Sequence, residues 1–172
     1  MTATAPETAS SRAERWFVTA NAALVVLALV VMCVTVGWNV GLRTFTNRSL
    51  PWADEVGRYT MIWMCFLGAG LALREGAHVA LSNLQTALPD RVARGMRLLV
   101  LILLLGFFMV MIWIGWDYAS RAQFQKSAAL RLSMSWVYLA MPVGFSLLTV
   151  HLLLIARHYL RHGLDRDETE AV

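Results

Sequence analysis

Four stretches of this 172-residue chain contain no aspartate, glutamate, lysine or arginine: residues 16–42, 59–73, 98–116 and 132–156. Three of them reach the ~20 residues that a helix needs to cross a bilayer. The second reaches that length if its helix begins near Asp54. A soluble domain of this size cannot hide the surface of a chain that is 58% hydrophobic. The same absence excludes ion- or proton-coupled transport by this chain alone, which needs a membrane-depth carboxylate or a broken, ion-coordinating helix. A four-helix multidrug exporter would need an acid in its first span, and 16–42 holds none. Cysteine is scarce: Cys33 and Cys65 both fall in apolar runs, where thiols act as small packing groups. No Gly-rich phosphate loop occurs, and Ser133 and Ser135 lack a histidine and an acid at matching depth. Nucleotide binding and hydrolysis are thereby excluded, and no enzyme is expected. Repeats and low-complexity tracts are absent as well.

What is present points to an all-α integral membrane protein with four transmembrane helices in one domain, 1–172. The spans are expected at about 16–42, 54–74, 98–117 and 132–157, with flexible tails at 1–14 and 163–172. The first apolar run is longer than the roughly 7–15 residues of a secretory signal and predicts a retained signal-anchor. The net charge of +4 sits in the loops and suggests no nucleic acid. Nine Lys and Arg residues lie on the side of the termini and the 74–97 loop, against six on the other side. That bias predicts both termini in the cytoplasm. Trp38, Trp52, Trp113, Trp116, Tyr118, Trp136 and Tyr138 gather at the predicted outer interface, and Trp16 and Tyr159 at the inner one. Amphipathic rings favour the headgroup zone and mark helix ends independently of charge.

The second span opens on Pro51 and the acids Asp54 and Glu55, a helix N-terminus pattern. Arg58 lies four and three residues beyond them, a spacing that allows ion pairing or contact with a partner at the outer face. Asp117 and Arg121 repeat the pattern at the end of the third span. Along the second span Cys65, Gly68, Ala69, Ala72 and Gly76 form a small-residue stripe, and Gly37 and Gly41 form a GxxxG on the first. Small side chains let helices approach closely in lipid. Arg74, Glu75 and His78 form a polar cluster at the inner end of the second helix. His78 and His151 leave open a haem- or quinone-associated anchor of a redox enzyme, because bis-imidazole ligation uses facing histidines. Pro142 and Gly144 can kink the fourth helix.

The order Trp52, Glu55, Arg58, Trp63, then Phe66-Leu67-Gly68-Ala69 and Ala72-Leu73-Arg74-Glu75-Gly76-Ala77-His78-Val79, resembles the small (DctQ-type) membrane subunit of tripartite ATP-independent periplasmic (TRAP) transporters. Ser135-Trp136-Val137-Tyr138-Leu139-Ala140-Met141-Pro142-Val143-Gly144 also looks like that family's fourth span. Ser82 departs from the pattern, where such proteins often carry an acid four residues after the histidine. The resemblance implies a bacterial inner-membrane transporter for organic acids with three parts. A periplasmic binding protein captures substrate, and a large membrane subunit holds the substrate and sodium sites. The small subunit binds the large one as a scaffold, with lipids around it and no cofactor of its own. It implies that Trp52, Glu55 and Arg58 lie near the docking face of the binding protein. Gly68, Ala72 and Gly76 would then pack within the bundle or against the large subunit.

Overall fold

The computed structural model describes the backbone of residues 9–87 and 90–162, with side chains for 12–74, 92, 95, 96, 98–154 and 156. Three long helices come first: α1 (Ala9–Thr46), α2 (Pro51–Ala87) and α3 (Asp90–Arg121). A 3₁₀ turn (Ala122–Phe124), a short α4 (Ser135–Tyr138) and α5 (Ala140–His162) complete the order. Four segments are long and apolar enough to span a membrane: Arg12–Thr46, Pro51–Arg74, Leu98–Phe124 and Ser135–Leu154. The protein is an all-α membrane protein with four transmembrane helices.

The fourth span is not one unbroken helix. It is interrupted at Leu139, between α4 and α5. Pro142 is the cause, since it lacks the N–H that would donate to the carbonyl of Tyr138 four residues earlier. Leu139 keeps right-handed helical angles, and Val143 N–H still donates to its carbonyl at 3.1 Å, so the interruption is local. The irregularity near Pro142 is thus a break of one residue, three positions before the proline.

The helices stand side by side in the order α1–α2–α5–α3. α1 packs along α2, α2 along α5, and α5 along α3, whereas α2 and α3 barely touch. Three of these contacts are set by glycines whose missing Cβ admits a neighbour. A Cβ on Gly57 would lie 2.8 Å from Val36 of α1, and one on Gly144 only 2.6 Å from the Cβ of Phe66 in α2. On Gly115 it would lie 2.9 Å from Pro142. The small core, Phe108, Leu148 and Leu152, sits between α3 and α5, with Ala69 and Leu73 of α2 packed against it. Phe145 joins it, its ring centroid 5.7 Å from that of Phe108. Most of the remaining apolar surface faces outward, as lipid contact requires.

Candidate functional site

At one end of the row, two buried polar side chains organise the connections between helices. Asn39 of α1 is 7% exposed. Its carbonyl accepts the Leu50 N–H at 2.8 Å, and its amide donates to an Asp54 carboxylate oxygen at 2.8 Å. It thereby clamps the α1–α2 turn, in which Asn47 takes a left-handed φ of 55° after the end of α1. Asn39→Ala removes both bonds and is expected to cost about 1–2 kcal/mol. The unfolding midpoint of the purified protein in detergent checks this.

Glu55 does the same for the α3–α4 loop. It is 3% exposed, and its two carboxylate oxygens accept the N–H groups of Ala129 at 2.8 Å and Leu130 at 3.0 Å. These amides form the tip of a hairpin-like turn, in which Ser127 N–H donates to Leu132 O and Met134 N–H to Gln125 O. Arg131 at that tip has a φ of 53°. The expected pairing of Asp54 or Glu55 with Arg58 is not formed among the described residues, because both acids are already held by donors of fixed position. Asp117 and Arg121 do pair, at 2.9 Å on an exposed face. Trp52 is 42% exposed and Arg58 is exposed too, both in the first two turns of α2.

Toward the end of the row that carries the chain termini lies a second polar group, built from three helices. His151 of α5 is fully buried. Asn21 of α1, 3% exposed, donates from its amide nitrogen to the Leu67 carbonyl at 3.1 Å and to His151 Nε2 at 3.2 Å. The Phe17 ring lies against the imidazole, 4.9 Å between centroids. Gly70 makes room for it, since a Cβ there would sit 2.5 Å from His151 Cδ2. Arg74 of α2 is paired with Glu14 of α1. The imidazole is thus enclosed by α1 and α2. Glu75, Gly76 and His78, the other members expected at this end, lie outside the residues whose side chains are described.

In the small-residue stripe, Cys65 and Ala72 are exposed, while Gly68 and Ala69 are half-buried. A Cβ on Gly68 would meet Val25 of α1 at 4.0 Å, an ordinary contact. Gly37 and Gly41 have nothing within 4 Å. With Cys33, Val34, Trp38, Leu42 and Phe45 they line an open apolar groove of about 530 Å³ on α1. Gly70, the residue that makes the closest contact of α2 with α5, lies outside the stripe. Asn21 and Asn39 also escaped the sequence pattern, although a lone amide in an apolar run was the available signal.

Four apolar helices capped by aromatic and charged ends define a multi-pass membrane protein. The chain matches the family described as tripartite ATP-independent periplasmic transporters, DctQ component, over residues 32–162, and it belongs to that family. It is 28% identical over 107 residues to the sialic acid TRAP transporter small permease protein SiaQ of Vibrio cholerae, covering 62% of each chain. It is 25% identical over 152 residues to the C4-dicarboxylate TRAP transporter small permease protein DctQ of the same species, covering 74% of this chain and 66% of that one. The chain therefore spans a little under two thirds of the length of these relatives. A further match, 24% identical over 101 residues, is to the sialic acid TRAP transporter permease protein SiaT of Haemophilus influenzae. There the matched stretch is 59% of this chain but 16% of the longer permease.

Proposed function

We propose that the protein is a non-catalytic scaffold subunit of a TRAP transporter in a bacterial inner membrane, with both termini cytoplasmic. It binds the large permease subunit and helps dock a periplasmic binding protein during sodium-coupled uptake of an organic acid. The family match over residues 32–162 carries this reading. The match to a sixth of a longer permease supports the association, because a similar stretch occurs there joined to further permease sequence. The open row of helices supports it too: two broad apolar faces stay available to another membrane protein. Trp52 and Arg58 are the residues offered to the binding protein, with Glu55 holding the neighbouring loop in place. Gly68 and Ala72, together with Gly76, are offered to the large subunit.

The test is copurification of the coexpressed large subunit. Gly68→Leu projects a branched side chain from α2 and is expected to reduce recovery of the large subunit and, with it, substrate uptake. Unchanged recovery and uptake would remove Gly68 from the interface.

A further inference from the structure

We propose that Asn21, Arg74 and His151 enclose an ordered-water site inside the membrane-spanning part of the protein. The Asn21 amide nitrogen faces the Leu67 carbonyl, which can only accept, so the orientation of the amide is settled. Its second N–H then points at His151 Nε2, which must accept. A neutral imidazole with an accepting Nε2 carries its proton on Nδ1.

Three polar atoms of this group are buried and meet no protein partner among the described residues: His151 Nδ1, Arg74 Nη1 and Asn21 Oδ1. Two are donors and one is an acceptor, and they come from three different helices. Buried groups of this kind are costly unless they are hydrogen-bonded. Water both donates and accepts, and a buried water commonly makes about three such bonds. An anion would satisfy the two donors but leave Asn21 Oδ1 facing a like charge. A cation could not accept from the two donors, His151 Nδ1–H and Arg74 Nη1–H. Water, singly or as a short chain, matches the whole set.

The site lies within the span, toward the end carrying the termini. Asn21 is six residues along α1 from Arg15, or about 9 Å at 1.5 Å per residue. Leu67 and Gly70 belong to the stretch of α2 that is free of charged residues. Arg74, a quarter exposed and paired with Glu14, is the member of the site nearest the end of the row carrying the termini. Water held here would add a bridge among α1, α2 and α5 to the direct Asn21–His151 and Glu14–Arg74 pairs.

The test is solid-state NMR of the full-length protein, ¹⁵N-labelled at histidine, in lipid bilayers. The His151 signals are assigned by changing His78, His158 and His162 to glutamine in turn. The expected result is a proton on Nδ1, a bare Nε2, and magnetisation transfer from water to the Nδ1 proton. Asn21→Leu should abolish the preference for the Nδ1 proton and the transfer from water. A proton on Nε2, a doubly protonated ring, or an Nδ1 proton with no transfer from water overturns the proposal. So does an Asn21→Leu protein with an unchanged spectrum. Should that variant not fold, the wild-type spectrum decides alone.

Discussion

Gly70→Leu is expected to lower stability by about 3 kcal/mol, the upper end of what overpacking a filled site costs. The new Cβ would already fall 2.5 Å from His151 Cδ2 and 3.1 Å from Nε2. The imidazole cannot move aside, because it is fully buried, backed by Phe17 and bonded to Asn21. Relief therefore requires α5 to move away from α2, which sacrifices the Asn21 hydrogen bond and loosens the contact of Gly144 with Phe66. An interhelical hydrogen bond in a membrane is worth only about 0.6 kcal/mol on average, so most of the loss comes from packing. The control is Gly106→Leu on α3, chemically the same change at a glycine with nothing within 4 Å. There the better helix propensity of leucine should leave stability unchanged or slightly raised. Unfolding by SDS titration, followed by circular dichroism, measures both. Equal midpoints for the two variants would refute the idea that Gly70 seats His151.

Glu55→Gln is expected to open the α3–α4 loop. A carboxylate accepts both loop amides, whereas an amide of the same size offers one oxygen and turns an NH₂ group toward the other N–H. Hydrogen bonds to charged groups contribute about 1.5–3 kcal/mol, so losing one and opposing the other should raise the open population at least about tenfold. Proteolysis that is slow relative to loop closure reports that population. Trypsin has two sites in this turn, Lys126 and Arg131. Cleavage there should accelerate about tenfold or more in Glu55→Gln, while cleavage after Arg43 and Arg48 stays as in the parent protein. A loop cut at the parental rate would mean that Glu55 does not hold it. On the proposed function, the same variant should weaken docking of the binding protein without reducing recovery of the large subunit.

The four spans were legible because the bilayer imposes a length and bars charge, and both constraints can be read one residue at a time. The Asp117–Arg121 pair was legible for the same reason, being local to one helix. Contacts between helices were not. Lipid and protein core are equally apolar, so the sequence around Gly37, Gly68 and Gly70 carries little sign of which side of a helix meets another helix. Gly37 and Gly41 fit the close-packing motif yet face open space, whereas Gly70 and Gly144 set the tightest approaches. Glu55 reads locally as a helix-start acid within reach of Arg58, but its partners lie 74 and 75 residues away. Asn21 and Asn39 are single amides in a long apolar run, too few to make a pattern, and their roles depend on residues brought near only by the fold.

The lateral order of the helices bears on how the protein is made. Helices that follow one another in a chain usually become neighbours, and α1 and α2 do. α3 does not settle against α2, because α5 occupies that place. During synthesis, then, the first hairpin can close early, while the third helix waits in the lipid for a companion not yet translated. The last span to leave the ribosome is the one that joins the two halves. A chain stopped before residue 140 would insert three helices and assemble only two.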